Sequence, residues 1–409
     1  MGGRPMKEME PFKLLVSHEK AKETILKTCI PIDRIENISI AGASGRVLAS
    51  DVKANRSVPP FERSAMDGYA VIAEDTFGAD ESEIKLELDG VIHAGEVSDQ
   101  EVSRGHCIQI ATGSPMPSGA NSVVMVEYTE RHEDRILVTR PVYPGANVSK
   151  KGEDIVEGDL VLTTGAWLTP AKIGTLAALG WTHVDVFGRP RIAVIPTGEE
   201  IVAPGENLNP GQIYDVNSFT LEAILQAHGA QVDRFGIVGD DYSALKDTIE
   251  KALHYDMVVL SGGSSVGEKD LLAGILGDVG EVLFHGVQIK PGKPTLYGVA
   301  QSTPVFGMPG YPTSCLSNAY IFLVPAVRQM GRQPPAHQKT VLAKISKRLV
   351  SASGRMQFLT VRIRNGIAHP VYKHSGAITS MATADGYIIL PINLDVIEEG
   401  DSVEVTLFE

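Results

Sequence analysis

The chain has 409 residues and the composition of an ordinary globular protein, 43% hydrophobic, 21% charged and 6% aromatic. It is too long for one compact core, so we expect two to four domains. The formal net charge of −13 argues against a non-specific nucleic-acid binder, which needs a basic surface, but allows a local basic pocket for a small anion.

The cysteines and the apolar segments predict a soluble, cytoplasmic protein. Cys29, Cys107 and Cys315 lie far apart and form no CxxC pair, so neither a zinc ribbon nor a disulfide framework is indicated, and a reducing compartment is the simplest location. The amino terminus has no apolar segment typical of a signal peptide. The longest apolar stretch, residues 320–327, is too short to span a membrane.

The first half of the chain predicts one helix followed by short strands. Ser17 is placed to cap a helix within residues 1–55. Residues 56–150 contain short apolar runs between Gly, Pro and Asn turns, which indicates a β-rich domain. Residues 151–186 form a further small segment, with a helix that begins near Pro170.

From Arg191 onward, apolar runs alternate with helical patterns. The runs 192–195 and 257–260 are continuous, as expected of buried parallel strands, so we predict a mostly parallel α/β domain at residues 187–331. Asn217 and Asp241 are expected to cap helices, and a strand is expected from Val232 to Val238.

The end of the α/β domain and the rest of the chain complete this division. A last helix from about Pro312 to Met330 should kink at Pro325. Beyond a linker, residues 338–409 contain short strands with glycine turns, which fits a small β-barrel or a sandwich.

Polar loops follow the predicted strands of the α/β domain. Ligands of open α/β sheets bind outside the carboxyl ends of the strands, so these loops should converge on one edge. They comprise residues 196–200, 239–241, 261–270, 288–294 and 307–314.

Two of these loops suit an anion. The Ser261–Gly267 loop is rich in Gly and Ser and precedes a helix, so its backbone N–H groups can hold phosphate, although it is neither a Walker loop nor a GxGxxG motif. Lys290 and Lys293 flank Pro291-Gly292, and two ammonium groups held together favour an oxyanion between them. The alternatives are a plain tight turn and two solvated lysines.

Three carboxylates follow separate strands of the same sheet. Glu200, Asp241 and Asp270 beside a phosphate predict a Mg²⁺ site. The alternatives are that Asp241 only caps its helix, that Asp270 only complements a helix dipole, and that Glu200 is solvated. No HxH or HExxH pattern occurs, which disfavours zinc.

Taken together, nine segments resemble the molybdopterin molybdenumtransferase family, the type of bacterial MoeA and the gephyrin E domain. They keep the family's order over nearly the whole chain, which makes the joint match highly specific. The segments are Ser64–Ala70, Ala111–Pro115, Gly152–Asp154, Pro196–Glu200, Gly211–Asn217, Ser261–Gly267, Lys290–Pro294, Pro309–Pro312 and Ser353–Arg355.

The resemblance implies a multidomain α/β plus β protein. Its parts would be an elongated dimerisation domain (1–55 with 151–186), a β-rich second domain (56–150), a three-layer molybdopterin-binding domain (187–331) and a C-terminal β-barrel (332–409). It also implies a homodimer whose active site lies between the α/β domain of one subunit and the second domain of the other.

The implied reaction inserts molybdate, or tungstate, into adenylylated molybdopterin with Mg²⁺-dependent release of AMP. A separate adenylyltransferase would supply the substrate, because the chain lacks the extra domain of fused members. By position, Asp270, Glu200 and Asp241 would serve the metal and catalysis, together with Lys290 and Lys293. The implied substrate-binding residues are Asp67, Thr112, Asp154, Gly262, Gly263, Ser265, Pro309, Pro312, Ser314 and Arg355.

Two positions depart from the family pattern. Tyr311 replaces a frequent Asn, and Ala377 replaces a Ser near molybdate in several members; Ser375, Ser380 or Arg355 are candidates to compensate. Two other functions are considered: a non-catalytic pterin-binding or scaffold protein of the same fold, and a nucleotide-processing amidohydrolase relative that shares only the α/β domain. The intact lysine and carboxylate set disfavours the first, and the segments of the second domain disfavour the other.

Overall fold

A computed structural model describes residues 15–262, 271–351, 354–371 and 375–408. They form two compact units. One contains the described residues up to Glu36, Gly45–Val47 and those from Phe187 onward; the other contains Asn37–Ser44 and Leu48–Val186. No helix among the described residues combines the length and the apolar character that crossing a membrane requires.

Helix α1 (His18–Thr28) is anchored at both ends. The Ser17 side chain accepts a hydrogen bond from the Lys20 N–H, as the sequence predicts. At the other end, Gln329 Nε2 donates to the carbonyls of Leu26 and Cys29, which have no partner within the helix. Burial raises the pKa of the Cys29 thiol to about 12, so it stays protonated.

The following segment is mostly β-structure. Its elements are β1 (Ile35–Ser39), β2 (Val52–Lys53), β3 (Arg63–Ser64), β4 (Gly68–Val71), β5 (Ile84–Ile92), β6 (His106–Ile110), β7 (Ser122–Met125), β8 (Thr129–His132), β9 (Arg135–Val138), β10 (Val148–Ser149), β11 (Leu160–Leu162), α2 (Pro170–Ala178) and β12 (His183–Phe187). Six of these strands form one sheet in the order β7-β4-β6-β5-β9-β8. The prediction of a β-rich second domain is confirmed.

The α/β domain follows. Its elements are β13 (Arg191–Pro196), β14 (Ile201–Val202), β15 (Ile213–Tyr214), α3 (Asn217–Ala227), β16 (Gln231–Arg234), α4 (Tyr242–Ala252), β17 (Met257–Ser261), α5 (Leu271–Val279), β18 (Glu281–His285), β19 (Ile289–Lys290), β20 (Leu296–Ala300), β21 (Thr303–Met308), α6 (Pro312–Asn318) and α7 (Val324–Met330). The main sheet has the order β16-β13-β17-β21-β20-β18. Its first four strands are parallel and β20 is antiparallel, so the predicted mostly parallel sheet is confirmed.

Both faces of this sheet are buried, which explains the continuous apolar runs. Along β13, Ile192 and Val194 pack on one face against α1, α3, α6 and α7, whereas Ala193 and Ile195 pack on the other against α4 and α5. Helices therefore cover the sheet on both sides, and the predicted three-layer architecture is confirmed.

Three local predictions need correction. Asn217 does not cap α3, because it is the first helical residue; the Asp215 carboxylate accepts the Ser218 N–H instead, at 3.0 Å. The predicted strand 232–238 is shorter, since β16 ends at Arg234. The last helix is interrupted by a π-helical turn at Ala319–Leu323, directly before α7, where Pro325 lacks the N–H of a regular α-helical bond.

The C-terminal domain is a barrel rather than a sandwich. Its elements are β22 (Thr340–Ile345), β23 (Leu349–Val350), β24 (Met356–Arg364), β25 (Ile367–Pro370), α8 (Thr379–Ala382), β26 (Gly386–Leu390), β27 (Val396–Ile397) and β28 (Ser402–Leu407). The strand order β24-β25-β22-β28-β26 is closed by pairing of β24 with β26. Strand β19 of the α/β domain pairs with β24 in parallel, which joins the two domains.

We expect Gly68→Ala to destabilise the protein strongly. A Cβ at position 68 would lie 1.9 Å from the Val124 carbonyl oxygen of the neighbouring strand β7, so the strands would have to separate. Overpacking of this kind costs about 3 kcal/mol of unfolding free energy. Urea unfolding provides the measurement, and Gly42→Ala is the matched control, since a Cβ there meets nothing within 4 Å. Equal stability of the two variants would contradict this packing.

Candidate active site

The carboxyl ends of three parallel strands meet at one edge of the α/β sheet, called here the carboxyl edge. Pro196 of β13 lies opposite Ser261 of β17, and Ser261 lies opposite Met308 of β21. Strand β20 runs in the opposite sense, so its beginning lies at the same edge. The predicted convergence of these loops on one edge is therefore observed for their described parts.

Backbone hydrogen bonds fix the first residues of the loops at this edge. Thr197 N–H donates to the Ser261 carbonyl at 3.0 Å, and Gly262 N–H donates to the Met308 carbonyl at 3.2 Å. Gly262 has φ +106°, and a Cβ on it would lie 2.6 Å from the Thr197 carbonyl oxygen. Only glycine fits here. Gly263, Ser265 and Asp270, which are also predicted site residues, lie outside the described residues.

Glu200 and Asp241 belong to neighbouring loops of the carboxyl edge. An isolated bridge pairs Thr197 with Val238, which places the two loops side by side. Glu200 is exposed, and its Oε2 lies 2.7 Å from the position that a Cβ on Gly198 would occupy. Asp241 Oδ1 accepts the Ala244 N–H at 2.8 Å, so the helix-capping role of Asp241 is confirmed.

Two of the predicted metal ligands, Glu200 and Asp241, are exposed at the carboxyl edge. Among the described residues, no three His, Cys, Asp or Glu side chains lie close enough to hold a metal ion. Mg²⁺ commonly takes only one or two protein carboxylates and completes its coordination with water and phosphate. The exposed carboxylates of Glu200 and Asp241 at one edge are compatible with that mode.

The turn formed by residues 290–293, called here the lysine turn, is rigidly held. Val287 N–H and Thr295 N–H both donate to the Lys293 carbonyl, at 2.9 and 3.0 Å. Asn318 Nδ2 donates to the Gly292 carbonyl at 3.0 Å. Both lysine residues are half-buried. The structure thus holds Lys290 and Lys293 on one short, fixed segment.

Pairing with the barrel brings the segment of Arg355 close to the strand that leads into the lysine turn. Lys290 lies opposite Gln357 in the β19–β24 pair, and Met356 N–H donates to the Gln288 carbonyl at 3.0 Å. Arg355, the residue before Met356, therefore lies near Gln288, although 62 positions separate it from Lys293 in the sequence. The joint role of Lys290, Lys293 and Arg355 in one site stays a prediction.

The loop before α6 connects the edge to the barrel. Asn217 Nδ2 donates to the Gly310 carbonyl at 2.8 Å. Thr313 N–H donates to the Ser375 carbonyl, and its hydroxyl donates to the Ala377 carbonyl at 3.1 Å. Pro309, Pro312 and Ser314 lie on this same segment.

Ser380 is one of the candidates to compensate for Ala377. Its hydroxyl is buried and donates to the Ala377 carbonyl at 2.8 Å, so it is engaged locally.

A cavity of about 510 Å³ opens beside the end of β13. The Arg234 guanidinium lies 3.8 Å from the centre of the Phe219 ring and pairs with Glu222 at 2.5 Å. The cavity wall includes Pro196, Ile201, Val202, Asp215, Phe219, Arg234 and Ile237. This space is large enough for one heterocycle, next to the loop that carries Glu200.

Two of the three predicted residues of the second unit lie together. Asp67 Oδ1 accepts the Thr112 N–H at 2.7 Å, and Gly113 N–H donates to the Ser64 carbonyl at 2.8 Å. The third segment lies against residues 58–59, because Asp154 N–H donates to the Val58 carbonyl at 3.0 Å and Gly152 N–H donates to the Pro59 carbonyl at 2.9 Å. Asp67, Thr112 and Asp154 are all exposed on this unit.

Several site residues were not identified from the sequence. The buried Asn217 has a side-chain oxygen, Oδ1, without a partner in the described structure, and so has the fully buried Asn318. The available signal was an amide side chain within a helix, Asn318, directly before the apolar stretch that begins at Ala319. Such a residue needs a long-range partner that the sequence does not show.

We expect the Asp67 carboxyl to titrate below the ordinary aspartate pKa. Its hydrogen bond from the Thr112 backbone N–H stabilises the charged form, with a smaller contribution from the Thr112 side chain. Thr112→Ala keeps the N–H, so the pKa should remain low; carbon-detected NMR titration measures it. An ordinary pKa in the unmodified protein would contradict the Asp67–Thr112 contact.

Comparison with known proteins agrees with this arrangement. Three family descriptions match successive parts of the chain: "MoeA N-terminal region (domain I and II)" at residues 16–180, "Probable molybdopterin binding domain" at 193–329, and "MoeA C-terminal region (domain IV)" at 343–408. Together they cover most of the described chain.

Individual relatives match along nearly their full length. Molybdopterin molybdenumtransferase 2 of Mycobacterium tuberculosis is 32% identical over 95% of this chain and 98% of its own. The molybdopterin molybdenumtransferase of Staphylococcus epidermidis is 31% identical over 96% of each chain. The crystal structure of the MoeA molybdopterin biosynthesis protein of Pyrococcus horikoshii superposes with a TM-score of 0.82 at 41% identity, covering 97% of this chain and 100% of that one. The chain therefore belongs to the MoeA family of molybdopterin biosynthesis proteins.

Proposed function

We propose that this protein is a molybdopterin molybdenumtransferase, which inserts molybdate into adenylylated molybdopterin and releases AMP. The observation that carries the proposal is the pairing of β19 with β24, which brings the segment of Arg355 next to the strand that leads into Lys290 and Lys293. The chain as a whole has a net charge of −13, and cations held on neighbouring segments favour an anion between them. Molybdate is a doubly charged oxyanion of this kind.

The chain's own groups would act mainly by holding the reactants. Charge-assisted hydrogen bonds from the two lysines and Arg355 fix the oxyanion beside the pterin dithiolene. The N–H groups of the loop that begins at Gly262 hold phosphate oxygens of the substrate. The cavity beside Phe219 and Arg234 takes one ring of the dinucleotide-like substrate.

The bond that breaks is the phosphoanhydride between AMP and the pterin phosphate. Water supplies the oxygen, AMP leaves, and the phosphate stays on the pterin. Asp270, Glu200 and Asp241 are the residues proposed to hold Mg²⁺, which would neutralise charge on the phosphoryl oxygens. Lys290 and Lys293 would stabilise the same developing negative charge.

The proposal extends to assembly and location. Asp67, Thr112 and Asp154 would serve the α/β domain of a second copy, so the functional protein is a homodimer. A separate adenylyltransferase would deliver the adenylylated pterin. The three buried thiols favour a reducing cytoplasm.

The direct test is AMP release from adenylylated molybdopterin in the presence of molybdate and Mg²⁺. We expect Asp270→Asn to slow AMP release by about 100-fold or more, because one metal-binding charge is lost. Asp278→Asn is the control, since that carboxylate contacts Tyr242 and Lys246 on α4. Full activity of Asp270→Asn would rule out this metal site, and no AMP release by the unmodified protein would favour the scaffold function.

Molybdate affinity tests the lysine turn separately. We expect Lys290→Gln and Lys293→Gln each to raise the Kd for molybdate by about 10- to 100-fold, the loss of one charge-assisted hydrogen bond. Equilibrium dialysis with elemental detection of molybdenum measures this Kd. Lys251→Gln, in the last turn of α4, should leave it unchanged. Equal affinities in all variants would place molybdate elsewhere.

A further inference from the structure

Asn318 contacts the lysine turn through its side chain. It is the last residue of α6 and is fully buried. Its Nδ2 donates to the Gly292 carbonyl at 3.0 Å and to Thr295 Oγ1 at 2.5 Å. Thr295 Oγ1 in turn donates to the same Gly292 carbonyl at 2.9 Å. The carbonyl of Gly292 is thus held by two donors.

Gly292 is also held in place by steric contact. Gly292 has φ +103°, a conformation that side chains rarely adopt, and a Cβ on it would lie 2.4 Å from Asn318 Nδ2. The amide group of Asn318 therefore lies directly against the Gly292 Cα. Hydrogen bonding and packing therefore act on the same residue, Gly292, which lies between the two lysines.

The polar side chain of Asn318 destabilises the fold unless its contact with Gly292 offsets that cost. Its Oδ1 is buried and has no partner among the described residues. An unsatisfied buried acceptor destabilises a fold, and an aliphatic side chain would avoid that cost. The neighbouring helix positions Cys315 and Ala319 are in fact apolar and buried.

We propose that Asn318 is a positioning residue for the oxyanion site. By fixing the Gly292 carbonyl, it sets the spacing of the Lys290 and Lys293 side chains and favours a compact dianion between them. Lysine side chains are long and flexible, so the backbone between them must supply the order. This inference rests on the proposed binding of molybdate by the lysine turn.

The first experiment compares Asn318→Ala with Ser317→Ala in the full chain. Ser317 is a fully buried neighbour on α6, but its hydroxyl donates to the Ser314 carbonyl of the same helix. We expect Asn318→Ala to raise the Kd for molybdate by about tenfold, a loss of roughly one hydrogen bond. The Kd for AMP should stay unchanged in both variants, and Ser317→Ala should keep the original Kd for molybdate.

A double-mutant cycle tests whether Asn318 acts through Gly292. Gly292→Ala alone should weaken molybdate binding, because the new methyl group meets the Asn318 amide. If both residues act on one peptide unit, the double variant should bind molybdate no more weakly than the weaker single variant. Additive losses would overturn the proposal.

The outcomes separate this inference from the proposed function. An unchanged Kd for molybdate in Asn318→Ala, or an equal loss in Ser317→Ala, overturns the positioning role while the Lys290→Gln and Lys293→Gln results still stand. Unchanged affinity in those two lysine variants overturns the molybdate site and, with it, the role of Asn318. Weaker molybdate binding in Asn318→Ala, with unchanged AMP binding and unchanged molybdate binding in Ser317→Ala, supports the positioning role of Asn318.

Discussion

The parallel register of β13, β17 and β21 is the constraint on which the carboxyl edge depends. It sets Pro196, Ser261 and Met308 side by side, and the next peptides are bonded across the strands before any ligand is present. The driving force is burial of both sheet faces, worth about 1.5–3 kcal/mol for each large apolar side chain. The positions of Ser261 and Gly262, where the glycine-rich loop begins, are therefore a consequence of core packing. Functional geometry at this edge depends on residues that never meet a ligand.

A second constraint brings positive charge to an acidic protein. Strand β19 is only two residues long, yet it pairs with β24 and so joins the α/β domain to the barrel. Without that pairing, the α/β domain would carry the two lysines but not Arg355. The barrel therefore lies directly next to the segment that carries the two lysines, and Arg355 immediately precedes β24.

The sequence allowed the strands and loops of the site to be predicted, because buried parallel strands have continuous apolar runs that periodicity detects. The sequence did not distinguish a barrel from a sandwich, because closure of the barrel depends on the long-range pairing of β24 with β26. The cap of α3 was assigned to Asn217 because both Asn and Asp are good caps; the backbone selects Asp215, two positions earlier. Asn318 was missed for a related reason. Its partner Gly292 is 26 positions away, and nothing local indicates the contact.

The family segments contain two kinds of residue with different physical reasons. Gly68, Gly262 and Gly292 are each required by a close backbone or side-chain approach, so any protein of this fold has a structural reason to keep them, with or without activity. Lys290 and Lys293 are half-buried cations on one short segment, and like charges held near one another repel. Their joint presence is therefore the stronger argument for chemistry at this edge, whereas the glycine-rich segments argue mainly for the fold.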